Sequence, residues 1–376
     1  MDNEVIVKAL PLHTDLSTKR PDLDLITCVD MRILRDSATG LIRQKLTTDI
    51  WNQLREAYVA GSLLGTAIDN TNAGINYAQE FLSFLERQLE LNDLDVLEIG
   101  CGTGYLASRV SQRTKSVLGI EPGGQHLEAW NSFGVNVHRG FFPDVLDDGQ
   151  LFDAIYSCSV VEHFPDLENH FTDCMKHLKK NGHILLSVPD CEDYFRLGDP
   201  SVLLHEHFSY FTEKSLRNTL IHLGFDVVSI IKSNYGSVLF AHVQVNDSKD
   251  FELSMVSDSD SESHFIQTVN NTRERVSSLL EDKISQGITV GIYCPGRGLN
   301  SIPSVNGLRL FDDDDDIHGK FYPTWPVPVE SFEDLKSRPV DEIWILSVAF
   351  EGQIAQKIRD EFPTIEIVNI AQLLST

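Results

Sequence analysis

An α/β fold built on a doubly wound sheet is the class that this 376-residue sequence predicts, on three observations. An apolar run, Val96-Leu97-Glu98-Ile99, enters a glycine turn, Gly100-Cys101-Gly102-Thr103-Gly104, and leaves it as a helix-compatible stretch from Leu106 to Val110. Strand-like and helix-like segments then alternate as far as residue 245. From residue 288 a second strand, glycine turn and helix start, ITVGIYCPGRGLN, opens the same alternation on a smaller scale.

Composition narrows the class. With 41% hydrophobic and 23% charged residues, the chain can bury ample core and is expected to divide into two or three domains. No run of eighteen apolar residues exists and Met1-Asp2-Asn3-Glu4 is acidic, so neither a membrane span nor a secretory signal is expected and the chain is placed in the cytoplasm. A formal net charge of −25 repels nucleic-acid backbones and anionic membranes alike, so neither is expected as a partner. The six cysteines form no C-x-x-C pair, which argues for reduced thiols rather than a zinc ribbon or a disulfide framework.

Taken in order, residues 1 to 45 (VIVKALPL, ITCVDMRIL) carry no catalytic pattern. Apolar residues at helical spacing predict helices over TTDIWNQLREAYV and INYAQEFLSFLERQLEL. The loop between them, GSLLGTAIDNTNAG, stands where it could close over a ligand or simply connect. Strands follow at DVLEI, SVLGIEP, VNVHR, FDAIYSCS and HILLSVPD, with helices at HLEAWNSFG and at FTDCMKHLKKNG, the latter closed by Gly182. EKSLRNTLIHLG predicts a helix before two last strands, and DSDSES a solvated break before the long helix HFIQTVNNTRERVSSLLEDKISQG. The expected domains are 1–75 (N-terminal segment and helical lead-in), 76–246, 247–285 (linker and helix) and 286–376.

The glycine turn identifies the ligand class. Glycine lets the backbone turn sharply and approach a ligand closer than a Cβ allows. A dinucleotide fingerprint needs its third glycine three residues after the second, and here that place holds Tyr105. The spacing is G-x-G-x-G, and Glu121 ends the next strand. This pattern resembles the S-adenosylmethionine (SAM) site of the class I methyltransferases, whose doubly wound sheet carries an antiparallel last strand. The resemblance implies SAM as cofactor, held by Glu98, Gly100, Cys101, Gly102 and Gly104. It places Glu121 on the ribose hydroxyls with Pro122 following, and Ser159 at the cofactor face beyond the fourth strand. It also implies antiparallel sixth and seventh strands. Phe141 or Phe142 would flank adenine, although a core role fits equally.

Three further stretches, SVVEHFPD (159–166), LLHEHFSYFTEKSLRNTLIHLGFDVV (203–228) and the C-terminal GIYCPGRG with its DDDDD turn, are similar to the nucleotide-sugar C-methyltransferases. That family methylates a carbon beside a keto group of a dTDP-linked deoxysugar. Its cysteine-rich zinc segment is lacking here, where only Cys28 stands, and no metal site is expected. The resemblance makes His207 the general base, with Glu206 assisting and His163 lining the acceptor pocket. His205 lies beside them, and on an extended segment shares a side with His207. A neutral imidazole suits proton removal near neutral pH, while hydrogen-bonded bracing of the loop fits any one of these histidines as well. Zinc on His163, His205 and His207 would lack a thiolate. Tyr210 and Phe208 could stack on a sugar or pack.

The smaller C-terminal domain is expected to be Rossmann-like and to help bind the acceptor. Gly296-Arg297-Gly298 could hold a phosphate or form a plain turn, and Asp312 to Asp316 reads as a solvated turn. The reading is therefore a SAM-dependent methyltransferase acting on a sugar or nucleotide-sugar acceptor. Its alternatives are O-methylation of a glycan or small-molecule hydroxyl, and a SAM-binding protein without turnover. A nicotinamide oxidoreductase is disfavoured by Tyr105.

Overall fold

The structure, a computed structural model, describes residues 4–12, 16–22, 28–60, 72–124, 126–234, 237–246, 253–257, 259–302, 305–347, 351–369 and 372–373. The loop expected over 61–74 falls largely outside these residues, as does 247–252 of the expected linker. The chain forms two compact units. One comprises residues 36–190 and 206–256, the other 1–35, 191–205 and 257–376.

In the first unit, seven strands form one sheet: β1 (Asp95–Ile99), β2 (Ser116–Glu121), β3 (Asn136–Arg139), β4 (Phe152–Cys158), β5 (Leu178–Pro189), β6 (Phe225–Lys232) and β7 (Val238–Val245). Their order is β3-β2-β1-β4-β5-β7-β6. The first five strands pair in parallel, and β7 runs antiparallel to both β5 and β6. The expected reversal of two strands is thereby corrected: β6, lying beyond the reversed β7, points the same way as β1 to β5. Alternation along each strand explains the two cores. Leu97, Ile99, Ile155, Leu186 and Val188 enter one cluster with Phe171 and Leu216, while Val96, Ala154, Tyr156 and Leu185 enter another with Phe81, Phe84 and Phe240.

Helices cover the sheet where the apolar spacing placed them, at Asn72–Gln88, Tyr105–Ser111, Leu127–Phe133, Leu167–Lys176 and Glu213–His222. One boundary differs. The helix expected to run to Gly182 stops at Lys176, and Leu178-Lys179-Lys180 already belongs to β5, because Leu178 pairs with Phe152 of β4. The Lys179 ammonium joins Asp95 and Asp153 at 2.9 and 2.8 Å, fastening the amino ends of β1 and β4. The carboxyl ends of the same strands carry the glycine turn and the 159–163 segment. A short strand, Ile42–Gln44, pairs antiparallel with Ser209–Tyr210, so residues just before the predicted helices brace the stretch after His207.

The second unit has five strands, all parallel: β8 (Val290–Tyr293), β9 (Arg309–Phe311), β10 (Val329–Glu330), β11 (Glu342–Ile345) and β12 (Glu366–Asn369), in the order β10-β9-β8-β11-β12. The order reverses between β8 and β11, as in half of a doubly wound sheet. Glu4–Pro11 and Cys28–Arg35 form an antiparallel hairpin in this unit. The long helix expected in the linker, Ser261–Ser285, belongs to the second unit, where Asn270 donates to the Ile6 carbonyl at 2.9 Å and Phe265 packs on Phe195 at 4.6 Å. The DSDSES stretch is therefore not wholly a solvated break: its Glu262 and Ser263 are buried at the start of that helix. Among the described residues no helix is long and apolar enough to cross a membrane.

Candidate active site

The cradle is built by strand β1 ending on a left-handed turn. Gly100, Gly102 and Gly104 have φ of 71°, 50° and 80°, a region that costs any residue with a Cβ roughly 1–2 kcal/mol. Two of these glycines are also needed for packing. A Cβ on Gly100 would lie 2.6 Å from Val160 Cγ2, and one on Gly104 2.6 Å from Val135 Cγ2. A Cβ on Gly102 would meet nothing within 4 Å, so this is the point at which the loop opens to a ligand. Trp130, which sequence reasoning passed over, fixes the turn by donating from its indole nitrogen to the Gly102 carbonyl at 2.7 Å.

Glu121 ends β2 across the same turn. Its carboxylate accepts from the Gly102 amide at 3.0 Å and the Gly123 amide at 2.9 Å, and burial raises its pKa from the ordinary value. Two amide donors keep it beside the open face of the cradle, where hydroxyls of a ribose would find an acceptor. Glu98 lies beneath, fully buried, accepting from Tyr156 at 2.8 Å, and burial pushes its pKa up to about 8. The Cys101 side chain turns inward, since a Cβ on Gly119 would stand 2.6 Å from its sulfur. Only the backbone of Cys101 can face a ligand. Pro122 continues the chain from Glu121 towards the Gly123 amide. Phe142 is corrected to a core residue: it sits in the hydrophobic cluster, edge-on to His170 and His177 at 5.7 and 5.9 Å. Phe141 instead lies under the Arg55 guanidinium at 5.0 Å.

Beyond β4 the chain turns through Ser159, whose φ is 56°, into the single turn Val161–His163. The Ser159 amide donates to both the carbonyl and the hydroxyl of Ser187, each at 3.1 Å. His163 Nδ1 lies 2.9 Å from the Glu206 carbonyl. A carbonyl oxygen only accepts, so Nδ1 carries the hydrogen and Nε2 the lone pair. Burial lowers the pKa of His163 to about 4, which keeps it neutral at pH 7.

His207 packs edge-on against His163 with ring centroids 4.7 Å apart, and Phe208 anchors the segment by donating its amide to the Glu162 carbonyl at 2.7 Å. Ligand atoms of Glu162, His163 and His207 all lie within 4.8 Å of one another. The carboxylate beside the imidazoles is thus that of Glu162, 4.0 Å from His163 Nε2, whereas Glu206 offers its backbone carbonyl. Glu162 was legible only as the residue preceding His163. His205 belongs to the second unit, where its Nε2 meets the Val29 carbonyl at 3.2 Å. Of the three histidines weighed for zinc, only His163 and His207 share this cluster. Phe208 packs on Trp51 at 5.8 Å, and Tyr210 is buried.

The Gly296-Arg297-Gly298 stretch of the second unit lies in a single 3-10 segment, Gly296–Ser301, whose Arg297 charge acts on the buried Asp199. In the aspartate run, Asp313 accepts from Tyr293 at 2.6 Å and pairs with Lys357, so the turn is partly fastened.

A sheet in this order with its reversed seventh strand, a glycine cradle after β1 and an acid ending β2 define the class I SAM-dependent methyltransferase fold. Residues 74–230 match the family described as "Methyltransferase domain". The ubiquinone biosynthesis O-methyltransferase of Rhizobium etli is 33% identical over 104 residues, covering 26% of this chain and 42% of that protein. That of Rickettsia conorii is 25% identical over 163 residues, 39% of this chain and 56% of its own length. The chain therefore spans about half or less of the curated relatives it matches. Among solved structures, the complex of DhpI with SAM and HEP has a TM-score of 0.43 at 19% identity, covering 53% of this chain and 99% of that one. The Burkholderia thailandensis 1,6-didemethyltoxoflavin-N1-methyltransferase, with bound 1,6-didemethyltoxoflavin and S-adenosylhomocysteine, has a TM-score of 0.42 at 16% identity, covering 58% and 96%.

Proposed function

We propose that this protein transfers the methyl group of SAM to a small-molecule acceptor of the sugar or nucleotide-sugar type, with the His163–His207 pair removing the acceptor's proton. The reading is carried by one observation: two imidazoles and a carboxylate from separate stretches of sequence meet beyond β4, next to the Ser159 turn. SAM, when bound, supplies a methyl group on a sulfonium that is already strongly electrophilic. What remains for the chain is to hold the acceptor in line and take a proton. His207 is the base in this reading. His163, held in one tautomer by Glu206, receives or relays the proton through Nε2, and Glu162 offsets the charge that forms. The open face at Gly102, the acid of Glu121 and the Ser159 turn hold the cofactor.

A second reading, transfer to a hydroxyl of a small aromatic or glycan acceptor, is favoured by the relatives named for ubiquinone biosynthesis. Both use the same base. The test is incubation with methyl-labelled SAM and a panel of keto-deoxysugar nucleotides and phenolic acceptors. Label on carbon supports the first reading and label on oxygen the second. Binding without transfer to any acceptor would argue for a protein that only senses SAM. On the true acceptor, His207→Ala should lower kcat by roughly 10²- to 10⁴-fold with little change in cofactor affinity. A chelator should leave the rate unchanged; a loss restored by added divalent metal would reassign the three side chains to a cation.

A further inference from the structure

Tyr77 stands on the helix Asn72–Gln88, and nothing in the sequence marked it. Its hydroxyl is buried between Ser159 Oγ, at 2.9 Å, and Ser187 Oγ, with which it makes a short hydrogen bond. The ring stacks on Phe240 with centroids 6.1 Å apart, so the hydroxyl is carried on a side chain that the core holds in place. Ser159 is one of few described non-glycine residues with a left-handed backbone, a conformation disfavoured for a residue with a Cβ unless its surroundings impose it. Three contacts impose it: the Ser159 amide on the Ser187 carbonyl, the same amide on the Ser187 hydroxyl, and the Ser159 hydroxyl on Tyr77. Ser187 lies on β5, and Tyr77 on a helix packed against β7, so the turn is clamped from two elements besides its own strand.

We infer that Tyr77 is a positioning residue: its hydroxyl, shared between Ser159 and Ser187, locks the left-handed turn after β4 and so sets the side of the cofactor site that faces the acceptor. This assignment rests on the SAM-site reading above. A tyrosine that merely filled the core would need no hydroxyl at this point, and phenylalanine would serve. Its effect should therefore pass through the backbone of residue 159. Glycine at 159 adopts a positive φ without help, and should remove the need for Tyr77.

The test is a double-mutant cycle on the full chain, read by calorimetric affinity for S-adenosylhomocysteine, with Tm as the control for packing. Tyr77→Phe should weaken binding about tenfold in the Ser159 background and less than twofold in the Ser159→Gly background, with Tm changing little because the ring remains. Equal losses in both backgrounds would overturn the inference, since Tyr77 would then not act through the turn. Unchanged affinity in Tyr77→Phe would overturn it as well. If the wild-type protein itself failed to bind S-adenosylhomocysteine, the cofactor reading would fall, and the role of Tyr77 with it. That outcome is distinct from a binding wild type with an indifferent Tyr77.

Discussion

Gly102 differs from its two neighbouring glycines in what a side chain would meet. At Gly100 and Gly104 an added Cβ strikes Val160 and Val135, so substitution there damages the fold before it touches a ligand. At Gly102 the space is open, and only the left-handed backbone resists a side chain, at about 1–2 kcal/mol. Gly102→Val should thus leave a folded protein that has lost S-adenosylhomocysteine binding, checked by calorimetry together with circular dichroism. Retained binding would remove the cofactor from this loop. Glu206 adjoins His207 in sequence, and in the fold its carbonyl meets His163 while the Glu162 carboxylate stands 4.0 Å from the same ring.

At the scale of the element, the helix Leu167–Lys176 carries a titratable group in its buried face. Its Asp166 cap accepts from the Asn169 amide, while His170 stacks on Phe164 at 3.7 Å and is pushed down to a pKa of about 3 by burial. His163 and His242 are likewise pushed down to about 4. A histidine with a depressed folded pKa binds fewer protons than its unfolded counterpart between these values and about 6.5. Its stability is therefore full above pH 6.5 and is lost as pH falls towards about 4. Urea unfolding should show stability decreasing between pH 7 and 5. His170→Phe should flatten that slope by up to one proton's share, about 1.4 kcal/mol per pH unit. An unchanged slope would mean that His170 is not neutral in the fold. The amphipathic spacing disclosed this helix; that its histidine faces inward depends on Phe142 and Phe164, which reach it from outside the helix.

At the scale of the whole molecule, the two units are not consecutive stretches of chain. The second is assembled from residues 1–35, 191–205 and 257–376, joined within it by Asn300 donating to Leu203 at 2.9 Å and Ser301 to Asp199 at 2.7 Å. Limited proteolysis should nick near Met255, which is 85% exposed, rather than in the helix start at 261–263. A nicked chain should still elute as one species under native conditions, because the piece after the nick is packed in its unit with pieces from before it. Release of a free C-terminal fragment would contradict that assembly.

What the sequence determined by itself is what depends on local pattern. The periodicities of two and 3.6 gave the strands and helices, G-x-G-x-G with Tyr105 in place of a third glycine separated a SAM cradle from a dinucleotide one, and Glu121 followed from its place at the end of a strand. These signals are short-range, since a backbone turn and an amphipathic face are written in consecutive residues. Tertiary structure alone decided which side chains converge. It brought Tyr77 to Ser159 across 82 positions and Glu206 to His163 across 43, turned Phe142 into the core and took His205 into the other unit. The reversed β7 and the discontinuous second unit belong to the same category. Contacts between distant stretches are selected by the packing of the whole chain, and no local pattern of residues encodes them.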